Sequence, residues 1–318
     1  MLFNIPKNRK KFSQIISINK PSMYILKEAA KFYFIYTWIN FMPIMYNFIV
    51  ARLRNKKVLK KLENKWICIT GATDGIGKAL ALNLAEKKIN LIIVGRNQEK
   101  LESVKAEILK KENIKITTKV VDFSQPNNFN DFKNLEIDLL INNVGACSDG
   151  PKYFIEDSRM EEIVMVNIMN TFKLTQKVLQ TMEKKKFGYV VNIGSITGDF
   201  PMPLLSTYAS SKAMIKSWSE NLHNEYLPYN INVELIDTGY VATKMSKIRN
   251  SSLFCPSADI YAKSIISHFG SGNITFSYFP HLILYFAMSC LPRDFLGKLV
   301  LYFQNRTRNF ILKKTKNN

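Results

Sequence analysis

The sequence predicts an α/β protein built on a doubly wound parallel sheet. From Trp66 onward, short apolar runs alternate with longer helix-like segments. A glycine-rich turn follows the first apolar run and leads directly into the first of these helix-like segments. Strands that alternate with helices form a parallel sheet covered by helices on both faces. We predict strands at Trp66–Thr70, Leu91–Gly95, Thr117–Asp122, Ile137–Asn142, Tyr189–Gly194 and Asn232–Asp237.

Five helices are predicted between and after these strands. Helical segments in such intervals are typical of strand–helix–strand units. The predicted helices are Ile76–Lys88, Gln98–Glu112, Glu161–Glu183, Thr207–Leu227 and Ala258–Phe269.

The net charge of +20 is concentrated at the two ends of the 318-residue chain. Residues 1–65 carry 14 Lys and Arg against 2 acids, residues 66–270 carry 24 against 22, and residues 271–318 carry 7 against 1. We therefore predict an N-terminal membrane anchor with a basic linker, a nearly neutral central α/β domain, and a C-terminal part with an apolar, membrane-associated segment and a basic tail. Basic ends beside apolar segments favour an anionic membrane surface over a nucleic acid.

An uncharged run of 19 residues, Phe32–Val50, is just long enough to cross a bilayer. Pro43 lies inside it, and basic residues flank both ends. Within about 20 residues of the run, seven Lys and Arg follow it and four precede it, which favours a cytosolic position for the central domain. A helix that packs on a soluble domain is the alternative.

The glycine-rich turn predicts a dinucleotide site. Glycines let the backbone approach a pyrophosphate, and the N-terminus of the following helix supplies free amides and a positive dipole. The spacing Gly-x-x-x-Gly-x-Gly differs from the commoner Gly-x-Gly-x-x-Gly, so the turn alone is a weak signal. The candidate binding residues are Gly71, Thr73, Asp74, Gly75, Ile76 and Gly77.

Tyr208 and Lys212 are one helical turn apart, and Ser195 lies thirteen residues upstream of Tyr208. Residues i and i+4 share a helix face, so the Lys212 ammonium can approach the Tyr208 phenol and lower its pKa. Ser195 follows a predicted strand, at the edge where doubly wound sheets bind ligands. With the glycine-rich turn, this set indicates ketone or alcohol redox with a nicotinamide cofactor. A Tyr–Lys pair that only decorates an amphipathic helix is the alternative.

These motifs, with Asn142-Asn143-Val144-Gly145 at the end of a further strand, resemble the short-chain dehydrogenase/reductase family over roughly residues 66–270. The resemblance implies a Rossmann-type, NADP-binding reductase domain. Tyr208 would be the general acid, Lys212 would lower the tyrosine pKa and bind the nicotinamide ribose, and Ser195 would orient the substrate carbonyl.

The family resemblance also assigns roles to three polar residues. Asn167 matches a fourth catalytic residue that holds a water between Lys212 and solvent; a purely structural hydrogen bond is the alternative. Asp122 matches a residue that contacts the adenine amino group. Asn143 is a candidate residue of the cofactor site, with a structural role favoured over a catalytic one.

The residue after the second strand, Arg96, indicates which cofactor is used. A carboxylate at this place would bind the ribose 2′-hydroxyl of NAD, whereas an arginine can pair with a 2′-phosphate in a bidentate way. We therefore expect NADPH, although Asp74 adds an acid nearby.

A closer resemblance is to the membrane-bound 3-oxoacyl-CoA reductases of fatty-acid elongation, a branch that includes the type 12 17β-hydroxysteroid dehydrogenases. It implies reduction of 3-oxoacyl-CoA to 3-hydroxyacyl-CoA. Lys244, Lys247 and Arg249 are then candidate contacts to CoA phosphates, or alternatively a solvated face. The resemblance rests on Thr73–Lys78, Asn142–Gly145, Pro203–Leu205, Val241–Lys244, Lys247–Arg249 and the tail Lys313–Lys316.

This branch implies an enzyme of the endoplasmic reticulum membrane whose catalytic domain faces the cytosol. Its expected partners are acyl-CoA, the membrane, other fatty-acid elongation enzymes and a second copy of the chain. Lys314 and Lys316 have the spacing of a cytosolic dilysine retrieval signal. The family's sheet needs a seventh strand near Ile274–Tyr278, which leaves Phe279–Leu291 too short to cross a bilayer. That segment would dip into the membrane, cover an apolar tunnel, or form an ordinary buried helix.

One departure from the family pattern concerns the loop on the nicotinamide side. Where many relatives have Pro-Gly after the sixth strand, this chain has Thr238-Gly239. The sequence alone therefore does not determine the shape of that loop.

Other interpretations use the same residues. The chain could reduce a 17-ketosteroid or another apolar ketone, or it could be a non-catalytic, membrane-held binding protein with a reductase fold. Nucleic-acid binding is disfavoured because apolar segments interrupt the basic ends. The four cysteines show no paired spacing and the three histidines no ligand spacing, so we expect neither a disulfide framework nor a metal.

Overall fold

The computed structural model describes residues 20–316, which divide into two compact units with the boundary between Met42 and Pro43. The first unit is described from Lys20, where helix α1 (Lys20–Leu62) begins. Its aromatic and aliphatic side chains are largely exposed; Phe32, for example, is 70% exposed. Among the described residues, α1 is the one helix that is long and apolar enough to cross a membrane.

The second half of α1 packs within the second unit. Asn47 Nδ2 donates a hydrogen bond to the Ile274 carbonyl (2.9 Å), and the Phe48 ring lies 4.8 Å from the His268 ring. The predicted span Phe32–Val50 therefore ends in a part of the helix that contacts protein.

Seven parallel strands form a single sheet in the order β3-β2-β1-β4-β5-β6-β7, which confirms the predicted fold class. The chain order reverses between β1 and β4, and ligands of doubly wound sheets bind beyond the carboxyl ends of strands at this point. The third strand ends two residues before Asp122, which therefore lies in the following loop. The strands are β1 (Trp66–Thr70), β2 (Asn90–Gly95), β3 (Ile116–Val120), β4 (Leu139–Asn142), β5 (Gly188–Ile193), β6 (Ile231–Asp237) and β7 (Ile274–Phe276).

Helices cover both faces of the sheet. On one face, Ile69 and Ile141 join an apolar cluster with helices α2 and α7, and on the other, Cys68 and Leu140 join a cluster with α5. Strands that are buried on both sides have near-continuous apolar sequences, as observed here. The helices are α2 (Gly75–Ala85), α3 (Gln98–Leu109), α4 (Met160–Val164), α5 (Asn170–Lys185), α6 (Ser206–Tyr226), α7 (Ala258–Ile266), α8 (Phe279–Ser289) and α9 (Arg293–Lys316).

The helix predicted at Glu161–Glu183 is interrupted in the structure. A single π-helical turn, Met165–Met169, separates α4 from α5. Such a turn inserts an extra residue into the helical repeat and is frequent at functional sites. It contains Asn167, whose contacts are described below.

The C-terminal part contains a helix that the sequence did not predict. The predicted segment Phe279–Leu291 forms α8, and the basic tail beyond it forms α9. One face of α9 contacts the α/β domain, where Arg308 pairs with Glu156 (2.8 Å). The opposite face exposes four aromatic side chains among basic residues: Phe295, Tyr302, Phe303 and Phe310.

Candidate active site

The glycine-rich turn after β1 has the close backbone approach that the sequence predicts. A Cβ atom on Gly77 would lie 2.3 Å from the Gly71 carbonyl oxygen, so no other residue fits there without movement. Gly71 has φ +67°, in the left-handed region that glycine adopts without strain. Asp74 caps α2 by accepting a hydrogen bond from the Gly75 amide (2.8 Å). The turn borders a cavity of about 390 Å³.

Asn143 ties the ends of β1 and β4 together at this cavity. Its Nδ2 donates to the Thr70 carbonyl (2.8 Å), and its backbone amide donates to Thr70 Oγ1 (3.0 Å). The Val144 amide donates to the same hydroxyl (3.0 Å). These bonds fix the two strand ends that form the crevice. The contacts of the Asn143 side chain are thus structural ones.

Arg96 and Asp122 both line the cavity beside the glycine-rich turn. Asp122 accepts hydrogen bonds from the Ser124 amide (2.9 Å) and hydroxyl (2.8 Å), which lower the pKa of its carboxyl, and the positive charge of Arg96 adds to this effect. The Arg96 side chain is exposed at the mouth of the cavity. A free guanidinium and a fixed carboxylate therefore share one end of the crevice.

Ser195 and Tyr208 meet at the carboxyl end of β5. Ser195 begins the short 3-10 helix after that strand, and its Oγ accepts a hydrogen bond from Thr197 Oγ1 (2.9 Å). Tyr208, in the first turn of α6, forms a hydrogen bond with the Ser195 side chain. Burial nevertheless raises the pKa of the Tyr208 phenol above its ordinary value. The phenol therefore holds its proton at neutral pH.

Lys212 lies one turn after Tyr208, and its Nζ is 5.9 Å from the centre of the tyrosine ring. The ammonium donates a hydrogen bond to the Ile193 carbonyl (2.9 Å). Burial lowers the pKa of Lys212 to about 8. Desolvation is the largest influence on the pKa of the Tyr208 phenol, and the expectation that Lys212 lowers this pKa stays a prediction.

Asn167 joins the loop after β4 to the tyrosine helix α6. Its Oδ1 accepts from the Ala146 amide (2.8 Å), while its Nδ2 donates to the Ala146 carbonyl (3.0 Å) and to Ser211 Oγ (2.9 Å). All three contacts are to protein atoms, and the role of Asn167 in holding a water between Lys212 and solvent stays a prediction. The same contacts place the asparagine between the nucleotide crevice and α6.

Two residues beside Tyr208 were not singled out from the sequence. Cys147 and Tyr240 are the ionisable groups whose negative charge would act directly on the Tyr208 phenol. Cys147 follows the Asn-Asn-Val-Gly motif by two residues, and Tyr240 follows Thr238-Gly239. Position within two residues after a recognised motif is the signal that could have identified both.

The three candidate CoA contacts lie in the loop after β6. Lys244 forms an ion pair with Asp74 of the glycine-rich turn (2.5 Å), and Lys247 Nζ donates to the Asp149 carbonyl (2.7 Å). Both lysines line the nucleotide cavity. Arg249 is exposed. This loop therefore crosses one side of the crevice, and the two lysines have partners within the protein.

The fold and this site define an oxidoreductase of the short-chain dehydrogenase class. The family described as short chain dehydrogenase matches residues 65–253, and the chain belongs to that family. The chain is 37% identical over 262 residues to a very-long-chain 3-oxoacyl-CoA reductase of Rattus norvegicus, covering 80% of this chain and 84% of the relative. It is 35% identical over 267 residues to the protein of the same name from Aspergillus clavatus, covering 79% and 77%.

Solved structures share the fold at lower sequence identity. A 7beta-hydroxysteroid dehydrogenase superimposes with a TM-score of 0.67 at 21% identity, covering 76% of this chain and 98% of the other. A short-chain dehydrogenase from Sphingobium yanoikuyae in complex with NADPH gives a TM-score of 0.61 at 22% identity, covering 67% and 87%. These similarities establish the Rossmann-type arrangement of the sheet and helices.

Proposed function

We propose that this protein reduces 3-oxoacyl-CoA to 3-hydroxyacyl-CoA with NADPH, as a step of fatty-acid elongation. The observation that carries the proposal is the Tyr208–Ser195 pair, with Lys212 one turn away, at the carboxyl edge of the sheet. The names of the most similar relatives support the choice of 3-oxoacyl-CoA among possible ketones.

The residues that line the nucleotide cavity suit NADPH. Gly71 and Gly77 approach each other without side chains, so a pyrophosphate can come close to the backbone of the turn. The N-terminus of α2 provides backbone amides that can donate to the pyrophosphate. Arg96 at the cavity mouth would pair with the 2′-phosphate, and Asp122 would accept from the adenine amino group. When bound, the cofactor supplies the hydride that reduces the ketone.

The side chains around Tyr208 suit proton donation to a carbonyl oxygen. The phenol is protonated at neutral pH, so Tyr208 has the proton that a general acid must donate. The Ser195 hydroxyl, held by Thr197 and Tyr208, would orient the carbonyl oxygen toward the phenol. Lys212 would favour transfer of the proton, because a cation nearby stabilises the phenolate that remains.

We further propose that Lys244, Lys247 and Arg249 contact the phosphates of CoA. The substrate would then compete with Asp74 for Lys244, since that ion pair exists in the protein alone. Replacing all three residues by alanine should raise the KM for acyl-CoA and leave the KM for a ketone without CoA unchanged. An equal change for both substrates would leave these residues without a role in CoA binding.

Membrane attachment is proposed through α1 and α9. The exposed apolar side chains of the first half of α1 and the aromatic and basic face of α9 support it. Aromatic rings and long basic side chains together are typical of the interface between water and lipid. The endoplasmic reticulum, with the catalytic domain in the cytosol, is the proposed location. Other elongation enzymes are proposed partners.

The direct test is oxidation of NADPH by membranes that contain this protein, with 3-oxoacyl-CoA substrates of several chain lengths. A matched membrane with the Tyr208→Phe variant is the control. The proposal predicts turnover of at least one acyl-CoA with NADPH by the wild type alone. A wild type that reduces a 17-ketosteroid and no acyl-CoA would instead support the steroid alternative. Absence of turnover with either substrate, despite tight NADPH binding, would support a non-catalytic binding protein.

A further inference from the structure

The turn after β6 is held by a histidine from the C-terminal part of the chain. The Gly239 amide donates a hydrogen bond to Nδ1 of His281 (3.1 Å), and Nε2 of the same ring donates to the Tyr240 carbonyl (3.0 Å). The imidazole therefore bridges two successive peptide groups of the turn. His281 lies in the first turn of α8 and is completely buried.

The histidine also fits against the turn sterically. A Cβ atom at position 239 would lie 2.7 Å from the imidazole ring, so the glycine is needed for this contact. On its other side the ring packs against Tyr261, with 5.3 Å between ring centres. Tyr261 in turn donates its hydroxyl proton to Thr238 Oγ1 (2.8 Å). Thr238-Gly239, which stands where many relatives have Pro-Gly, is thus held by hydrogen bonds with Tyr261 and His281.

The ring is neutral at physiological pH, as the two hydrogen bonds require. Nδ1 accepts a proton from an amide, so this nitrogen carries no hydrogen. Burial lowers the pKa of His281 to about 4, well below that of a free histidine. The neutral tautomer with hydrogen on Nε2 is therefore the stable form, and the contact persists across the pH range of an ordinary assay.

The turn is tied to the candidate active site, because the Ile196 amide, directly after Ser195, donates a hydrogen bond to the Thr238 carbonyl (3.1 Å). Tyr240 is the residue whose carbonyl His281 binds; its side chain is 53% exposed, and a negative charge on its phenol would raise the pKa of Tyr208. A shift of the backbone at residues 239 and 240 would move this phenol relative to Tyr208. Displacements of about 1 Å at a reacting centre can change rates by about a hundredfold.

We propose that His281 is a positioning residue, which sets the position of Tyr240 against Tyr208 and thereby the orientation of the ketone substrate. The inference rests on the proposed function for the identity of that ketone, an acyl thioester with a 3-oxo group. It makes α8, outside the predicted nucleotide-binding segment, a part of the catalytic apparatus.

Three substitutions separate the two hydrogen bonds from the volume of the ring. His281→Phe removes both bonds and keeps a ring of similar size. His281→Asn keeps an acceptor near the place of Nδ1, and His281→Gln keeps a donor near that of Nε2. His268→Phe is the matched control, because His268 is also completely buried but bonds to Ser264 of its own segment and not to the turn.

The first readout does not depend on activity. Hydrogen–deuterium exchange of a peptide covering residues 238–241 should be faster by tenfold or more in His281→Phe than in the wild type. His281→Asn should restore slow exchange, because it can accept the Gly239 amide proton, and His268→Phe should leave exchange in this peptide unchanged. Unchanged exchange in His281→Phe would show that the histidine does not hold the turn.

The second readout is kinetic, with whichever ketone the wild type reduces. His281→Phe should lower kcat about tenfold to a hundredfold, while the Kd for NADPH stays within about twofold of the wild type. His281→Asn should recover part of this loss. In a double-mutant cycle, adding His281→Phe to Tyr240→Ala should cause no further loss, because the residue that it positions is already absent.

If His281→Phe lowers kcat by the same factor in the Tyr240→Ala and wild-type backgrounds, His281 does not act through Tyr240. The proposed function can fail independently of this inference. If the wild type rejects 3-oxoacyl-CoA but reduces another ketone, the proposed function is contradicted. The double-mutant cycle can then still be measured with that other ketone. A wild type that reduces no ketone removes any catalytic role from His281, even where the exchange data show that it holds the turn.

Discussion

At the scale of single residues, burial decides the protonation of the candidate catalytic groups. Tyr208 has its pKa raised and Lys212 has its pKa lowered to about 8, both because their charged forms are desolvated. The phenol therefore keeps its proton near neutral pH, while a buried amine with a pKa of about 8 lies one helical turn away.

Tyr208→Phe tests the role of the phenol. The substitution removes the proton donor and little volume, so we expect a loss of kcat of about 10²- to 10⁴-fold with nearly unchanged NADPH binding. Tyr226→Phe, near the other end of α6, is the control and should be silent. Activity within tenfold of the wild type would remove Tyr208 from the role of general acid.

Arg96→Ala tests the choice of cofactor. Because only NADPH carries the 2′-phosphate, we expect the Kd for NADPH to rise by about tenfold or more and the Kd for NADH to change little. Lys105→Ala on the neighbouring helix α3 removes a cation that does not line the cavity. Titration of each variant with both cofactors provides the measurement, and equal losses for NADPH and NADH would contradict the assignment.

At the scale of elements, buried polar residues fix the loops that surround the sheet. Glu234 on β6 is a clear case, since it is 1% exposed and Oε1 accepts from the Gly270 amide (2.8 Å). This bond ties the loop between α7 and β7 to the interior of the sheet. Burial raises the pKa of Glu234 to about 7, and hydrogen bonds from the loop oppose this rise only in part.

The raised pKa gives a prediction about stability and pH. A carboxyl whose pKa is about 7 in the folded state and 4.5 in the unfolded state contributes stability that is complete below pH 4.5. This contribution is lost as the pH rises through about 7. The thermal midpoint of the wild type should therefore decrease over this window, and that of Glu234→Gln should decrease less. Glu225→Gln, at an exposed position, should follow the wild type, and parallel curves for all three proteins would contradict the prediction.

At the scale of the whole molecule, the chain joins an ordinary reductase core to two apolar and basic helices. Asn47 and Phe48 contact the α/β domain, so a crossing by α1 has to use residues before them. Lys27 and Lys31 would then lie at the far end of the crossing, where long basic side chains can extend toward the head groups. The C-terminal helix α9 has its aromatic face exposed over most of its length.

We predict one crossing by α1 and a cytosolic remainder. Protease treatment of sealed microsomes should digest a C-terminal tag, and the sequons at Asn250, Asn273 and Asn305 should carry no glycan. A sequon placed in an N-terminal tag should be glycosylated and serves as the control for lumenal access. A glycan on Asn305 would show that the later segment crosses the membrane. Digestion of both tags would show that α1 lies on the membrane surface without crossing it.

The sequence by itself determined the order of strands and helices, the glycine-rich turn, and the positions of Ser195, Tyr208 and Lys212. These features are local, because apolar periodicity and the spacing of i and i+4 residues depend on neighbours in the chain. Two predicted elements show the limit of such local signals. The third strand ends at Val120 and not at Asp122. The helix predicted at Glu161–Glu183 is interrupted by a π-helical turn, in which Asn167 bonds to Ala146 and Ser211, both distant in sequence.

Only the tertiary structure decided the pKa of Tyr208, the partners of Lys244, the packing of the second half of α1, and the contact between His281 and the turn at Gly239. Each depends on atoms that lie far apart in sequence, and on the amount of water that folding removes from between them. His281 and Gly239 are separated by 42 positions, with α7 and β7 between them. No pattern in the sequence records such a distance, because it is set by the packing of the whole sheet against its helices.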